Sequence, residues 1–219
     1  SAITGTPTVC IGSTTALSDP LVGGTWTSSS AHATVGSGMC SCTVSSFVTS
    51  TITYAPSTGC YTSRLVHVNV VPSALSGPSQ VCIGGNITLS DAGGGTWSST
   101  GGHATGGAGT GIVTGVSAGV ANITYTLSTG CFQVTTITVN ALPAAISGPA
   151  SVCAGQTISL SDAETGTWSS SGISTATVGS ADGVVTGVAA GSTNIVFTNS
   201  ATGCNIAHVV TVNPLAPIT

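Results

Sequence analysis

Charge is what this sequence lacks most. Of 219 residues, 3% are charged, where an ordinary soluble domain carries about 25%. There is no lysine; Arg64 is the single fixed cation, and the acids are Asp19, Asp91, Asp162, Glu164 and Asp182. One cation cannot neutralise a phosphate backbone, so nucleic-acid binding is excluded. The basic patch needed at an anionic membrane surface is missing for the same reason. Long apolar runs are missing too. Mean hydropathy is high at +0.52, yet Gly, Ser or Thr breaks every run well short of the ~18 residues of a spanning helix, so no membrane insertion is expected. Disorder normally combines low hydrophobicity with high net charge, whereas this chain is 41% hydrophobic with net charge −4. No leader or tail anchor is recognisable, and the chain reads as a mature or excised segment. In place of charge there are 32 Ser, 37 Thr and 31 Gly.

The chain repeats itself. Cys10, Cys82 and Cys153 are spaced by 72 and 71 residues, Trp26, Trp97 and Trp168 by 71 and 71, and Cys60, Cys131 and Cys204 by 71 and 73. Gly-Thr-Trp recurs at 24–26, 95–97 and 166–168, and Thr-Gly-Cys at 58–60, 129–131 and 202–204. Three copies of one unit of about 71 residues follow. We expect units at 1–71, 72–143 and 144–214, with 215–219 as a linker or inter-subunit segment. Junctions such as Asn69-Val-Val-Pro72 and Asn140-Ala-Leu-Pro143 are short and hold a Pro, which favours a semi-rigid string.

Within a unit the signals are β throughout. Ile87–Leu89, Gly95–Ser98, Gly111–Val116, Val120–Leu127 and Cys131–Val139 are short runs rich in Val, Ile, Thr and Tyr. Ile123, Tyr125 and Leu127 alternate with Asn122, Thr124 and Thr126, the period of a strand with one buried face. Gly is too frequent and Glu/Lys pairs too scarce for a helix. Six or seven strands with a Trp on a middle one predict a small two-sheet sandwich. The expected fold class is all-β, three tandem immunoglobulin-like sandwiches in an extended rod.

Copy three carries a more specific pattern: Ala154–Leu160, Thr167-Trp-Ser-Ser170, Ala176-Thr-Val-Gly179, Gly183-Val-Val-Thr-Gly187, Ala190-Gly191 and Asn194–Phe197. Copy two has the similar Gly111-Ile-Val-Thr-Gly115 and Ala118-Gly119. These residues resemble the bacterial immunoglobulin-like domains of the second group, in a disulfide-containing variant found in long bacterial surface repeat proteins. The resemblance covers all three copies. It implies spacers, adhesin stalks and surface-fibre modules rather than one activity. Copy one departs from it, with Met39-Cys40-Ser-Cys42-Thr43 replacing the Gly turn-strand and Phe47-Val48 replacing Ala-Gly. Its local backbone is therefore expected to differ.

The eight cysteines are even in number. With one of each type per copy, the economical pairing is within copies: Cys10 with Cys60, Cys82 with Cys131 and Cys153 with Cys204. Each such bond would close a loop of roughly 50 residues, worth about 4 kcal/mol, in a domain with a small core. Disulfides place the chain outside a reducing cytosol. Cys/His spacing suited to structural zinc is lacking. Cys40 and Cys42 are read as a local bond, a cross-link to a neighbouring chain, or free or metal-binding thiols.

The tryptophans are expected to be core residues packed on the disulfides, as in related sandwiches; glycan stacking is the alternative. His32, His67, His103 and His208 have no acid or Cys at motif spacing. Leu-Ser-Asp at 17–19, 89–91 and 160–162 reads as a strand end with Asp capping a turn. Asp162, Glu164 and Asp182 are a weighed Ca²⁺ set, confined to copy three. Asn86-Ile-Thr88 and Asn122-Ile-Thr124 fit the N-glycosylation pattern, which chance explains in so Thr-rich a chain. No nucleophile, base and orienter stand at motif spacing, so an enzyme is not expected, and neither is a cofactor.

Sheet proteins commonly protect their edges with Lys or other charge. Its absence predicts edges covered by neighbouring subunits, by O-linked sugar on Ser and Thr, or by both. The expected function is an extracellular structural protein at the cell surface: a subunit or segment of a head-to-tail bacterial filament, glycosylated. The alternative is an adhesin stalk or binding module for glycans, cells or another surface. The expected assembly segments are Ala2, Ile3 and Thr4 at one end and Leu215, Pro217, Ile218 and Thr219 at the other, either of which would add a strand to the next subunit.

Overall fold

The computed structural model describes residues 2–31, 33–36, 40–44 (backbone only) and 49–215. His32, the side chains of Cys40 and Cys42, and Pro217, Ile218 and Thr219 fall outside the described residues. Every described element is a strand. No helix of the described residues is long and apolar enough to cross a membrane.

Unit one runs through β1 (Thr4–Gly5), β2 (Thr8–Cys10), β3 (Thr14–Ser18), β4 (Thr25–Ser28), β5 (Ala33–Thr34), β6 (Cys40–Val44), β7 (Thr49–Ala55) and β8 (Thr62–Asn69). Unit two has β9 (Gln80–Cys82), β10 (Asn86–Thr88), β11 (Thr96–Thr100), β12 (Ala104–Gly106), β13 (Ile112–Gly115), β14 (Gly119–Thr126) and β15 (Phe132–Asn140). Unit three has β16 (Ser151–Cys153), β17 (Thr157–Ser159), β18 (Gly166–Ser170), β19 (Ala176–Val178), β20 (Val184–Gly187), β21 (Gly191–Asn199) and β22 (Asn205–Asn213).

Each unit holds two sheets. In unit two these are β10-β13-β12 and β11-β14-β15-β9, and unit three repeats the arrangement as β17-β20-β19 and β16-β22-β21-β18. Unit one differs by including β1, giving β1-β3-β6-β5 beside β2-β8-β7-β4. The pairings between these strands are antiparallel except one per unit, where the short strand that ends in the unit's first cysteine lies parallel to the last: β2 on β8, β9 on β15 and β16 on β22.

Period-2 alternation puts one face of each sheet inside. Along β14, Ala121, Ile123 and Tyr125 are buried while Asn122 is exposed. They meet Ala104 and Val113 from the opposite sheet, and Leu89 just beyond β10, in one core. Separate cores form around Ile52 and Val66 in unit one and around Ile195 and Phe197 in unit three. The strand runs expected from sequence in copy two correspond to β10, β11, β13, β14 and β15; β9 and β12 are additional. Both are three-residue strands, too short to show a period.

The edge strands are two to five residues long, and the nine-residue strands β15, β21 and β22 lie inside their sheets. Shortness is itself a protection against edge-to-edge pairing. The missing charge therefore bears less on these edges than the sequence implied.

Candidate functional site

The cysteines do not pair as expected. Cys10 is bonded to Cys131 with Cα atoms 5.7 Å apart, and Cys82 to Cys204 with Cα atoms 5.6 Å apart. Each bond joins one unit to the next. Cys60 and Cys153 are free and exposed. The pairings Cys10 with Cys60, Cys82 with Cys131 and Cys153 with Cys204 are thus corrected.

Strand direction gives the reason. Cys10 ends β2 and stands opposite Asn69, the last residue of β8, because the two strands are parallel. Cys60 sits in the turn just before Thr62, where β8 begins. From Cys60 to Asn69 the extended chain spans about 30 Å, against the roughly 7 Å of Cα separation that a disulfide tolerates. The two cysteines of a unit therefore lie at opposite ends of its last strand. The same holds for Cys82 opposite Asn140 with Cys131 before Phe132, and for Cys153 opposite Asn213 with Cys204 before Asn205.

At each junction the exit end of one unit meets the turn preceding the last strand of the next. The Cys131 Sγ lies 4.0 Å from the Asn69 carbonyl oxygen, across the first junction. Bonding here also buries the cysteine that precedes the last strand: Cys131 and Cys204 are 0% exposed, while their counterpart Cys60 is open.

The tryptophans are not stacked on these bonds, which lie between units rather than within cores. Trp26 packs on Tyr54, Trp97 on Tyr125 and Trp168 on Phe197, with centroids 4.7, 4.6 and 5.0 Å apart. Beside each pair is a shallow recess, of about 310, 270 and 280 Å³ in units one, two and three.

The Asp turns form as read from the sequence. The Leu21, Gly93 and Glu164 amides donate to Oδ1 of Asp19, Asp91 and Asp162 at 3.0, 2.9 and 2.9 Å. Asp162, Glu164 and Asp182 line one recess, where a local donor engages one oxygen of each, the Val184 amide reaching Asp182 at 3.0 Å and the Asn199 amide group Glu164, while Asp162 Oδ2 is buried without a partner. Among the described residues no group of three or more His, Cys, Asp or Glu could hold a metal ion. His103 hydrogen-bonds Ser117 at 3.0 Å.

The expected N-terminal assembly segment is packed on its own unit in this structure. Ile3 is buried in the core of its own unit, Thr4 pairs with Ser18, and β2 is already paired with β8. Donating Ala2, Ile3 and Thr4 to a neighbour would pull Ile3 out of that core. Leu215 is 68% exposed. The Arg64 guanidinium donates to the Ile3 carbonyl and so helps hold the segment in place.

No protein-family model matches the sequence, and no curated protein matches it. Solved structures do show similarity. Domains 1–6 of the surface-layer protein SbsC align over 100% of this chain and 41% of theirs, at 18% identity and TM-score 0.31. Invasin, described as a bacterial integrin-binding protein, aligns over 97% of this chain and 59% of its own, at 16% identity and TM-score 0.40. A C-terminal fragment of intimin, solved with its receptor's intimin-binding domain, aligns over 65% and 64%, at 15% identity and TM-score 0.37. The chain thus spans well under two thirds of the SbsC chain. At such identities and TM-scores nothing about this chain's activity follows from the likeness.

Proposed function

We propose that this chain is an extracellular structural protein of a bacterial surface, a segment of a filament of tandem immunoglobulin-like units of the second bacterial group, with sugar on its Ser and Thr hydroxyls. The observation that carries the reading is the pair of disulfides that join successive units. Bonds placed at junctions lie outside the cores and fix the orientation of one unit on the next, which is what a filament needs and a set of independent modules does not. They also call for an oxidising compartment. The repeat pattern supports the family, and the hydroxyl-rich surface offers attachment sites, Thr136 and Thr138 among the exposed ones.

Electron microscopy of the chain under native, oxidising conditions tests the reading. Filaments with an axial repeat of one unit or three are the expected result; monodisperse monomers at every concentration overturn it. Intact-mass measurement of natively produced protein checks the sugar, a mass equal to the bare chain counting against it. A second reading, a stalk or module that binds glycans, is favoured by the recess repeated beside each tryptophan. Binding on a glycan array that is lost in Trp97→Ala would move the assignment there.

A further inference from the structure

We propose that Cys153 of one copy forms a disulfide with Cys60 of the next copy, which repeats between chains the bond that already joins units within the chain. The proposal rests on the filament reading above and adds its covalent link.

The two free thiols among the described side chains are not a random pair. The bonded cysteines are of two types: Cys10 and Cys82 end the strand that lies parallel to the last strand, and Cys131 and Cys204 precede the last strand. Each bond joins a first-type cysteine to the second-type cysteine of the following unit. Under that rule the first-type cysteine left without a partner is Cys153, in unit three. The second-type cysteine left over is Cys60, in unit one. One of each type remains, at opposite ends of the molecule, so a second copy placed head to tail supplies what both lack. A two-fold dimer held by a single bond would put that bond on the axis and match like with like, a pairing found at neither junction, and one held by two Cys60–Cys153 bonds would close as a dimer and give no ladder. Head-to-tail contacts of this kind continue without closing on themselves unless the rotation per step makes a ring.

The unpaired sites are built like the paired ones. Cys153 stands opposite Asn213 in the register that places Cys10 opposite Asn69 and Cys82 opposite Asn140. The glycine two residues on has φ of 79°, 77° and 79° in units one, two and three. Cys60 follows Gly59 at φ 86°, as Cys131 follows Gly130 at φ 85° and Cys204 follows Gly203 at φ 71°. Hence both backbones already hold the shape seen in the bonded junctions. The difference lies in cover, Cys131 and Cys204 being 0% exposed while Cys60 is open to solvent. Next to it Tyr61 is 75% exposed.

Bond formation requires an oxidant, which we take to be a small-molecule disulfide. The Cys153 thiolate attacks one sulfur of that disulfide and releases one thiol. The Cys60 thiolate of the next copy then attacks the Cys153 sulfur and releases the second. Two cysteine S–H bonds are lost, one S–S bond forms, and the two electrons and two protons end on the oxidant as two thiols.

The test uses the full chain with its internal disulfides intact, incubated with oxidised glutathione and run on non-reducing gels. A ladder at multiples of 20.9 kDa that collapses on reduction is expected, with Cys60–Cys153 peptides found by mass spectrometry. Cys60→Ser and Cys153→Ser alone should each abolish the ladder. Mixed, they should give one dimer band and nothing longer, because the first supplies only Cys153 and the second only Cys60. A ladder that survives in either variant overturns the proposal, as do Cys60–Cys60 or Cys153–Cys153 links in amounts matching the mixed dimer. Wild-type filaments seen by microscopy without any ladder overturn the disulfide and leave the filament reading standing. Absence of both filaments and ladder overturns both.

Discussion

Unit one and unit three share a fold and differ in how they cover their tryptophan. In unit three, Gly183 lies beneath Trp168, and an added Cβ would come within 3.0 Å of the indole Cε2. Gly183 has φ +67°, as does Gly111 beneath Trp97 in unit two. Trp168 and Trp97 are 7% and 8% exposed, while Trp26 is only half-buried. By strand register Cys40 occupies the matching place in unit one, since β6 pairs Thr43 with Thr14 as β13 pairs Thr114 with Asn86. A residue with a Cβ is poorly suited to that left-handed turn. Accordingly β6 starts at Cys40, opposite Leu17, whereas β13 and β20 start one place later, after the glycine. Where the glycine is replaced the strand begins one residue earlier, and the tryptophan of that unit is the more exposed one. The backbone difference expected of copy one is seen at Cys40, while Met39, Phe47 and Val48 fall outside the described residues.

Unit one should on this account be the weakest of the three, propped by its bond to unit two. The Cys10–Cys131 bond has a sequence separation of 121 residues, a chain-entropy contribution of about 5 kcal/mol. Calorimetry of a Cys10→Ser, Cys131→Ser double variant should show unit one melting in a separate, earlier transition. If unit three melts first instead, the ranking of the units is wrong.

Truncating the aromatic should rank them too. Trp168→Ala is expected to cost about 4 kcal/mol and Trp26→Ala about 2 kcal/mol, by denaturant unfolding, because less area leaves contact in unit one. Equal losses would mean that the exposure of Trp26 has no energetic weight. Gly183→Ala should cost about 3 kcal/mol, with its new Cβ placed 2.4 Å from the Leu160 carbonyl oxygen on a backbone of positive φ. An unchanged melting temperature would show that this turn relaxes freely.

The smallest effect concerns the partner ring. The Tyr54 hydroxyl accepts from the Gly24 amide at 2.9 Å and donates to the Leu21 carbonyl at 2.7 Å, and Tyr125 accepts from Gly95 at 2.5 Å; unit three has Phe197 and no such bond. Tyr125→Phe should therefore cost about 1 kcal/mol, read as a small shift of the urea midpoint. A neutral result would indicate that water replaces the hydroxyl at Gly95.

Much of this was legible in the residues. The 71-residue recurrence marks three equivalent cores, and the alternation of Ile123 and Tyr125 with Asn122 and Thr124 gives the buried face of β14. Cysteine pairing was not, because counting one of each type per copy says nothing about which end of the unit each occupies. That information sits in the parallel pairing of Val81 with Val139, a contact between residues far apart in sequence that no local pattern announces. The signal closest to it was the position of Cys131 at the very start of the longest strand run of its copy. The tryptophan partners were hidden for a similar reason, Trp97 and Tyr125 facing each other only once β11 pairs with β14.

The two disulfides enclose residues 10–131 and 82–204, and these covalent loops overlap between 82 and 131. Tension applied to the ends of the molecule would pass through the sulfur bridges before it could draw out the chain they enclose. Even with every hydrogen bond of unit two broken, most of the contour between Cys10 and Cys204 would stay as slack closed off by the bridges. In unit two, loaded between Cys82 at the end of β9 and Cys131 just before β15, these two strands lie side by side and parallel, Val81 against Val139. Pulling on both drags them past each other, so their hydrogen bonds resist together instead of opening one by one. The staggered cysteines thus make a chain of small, weakly charged sandwiches into a tether of limited reach, one that yields a little under force and then stops.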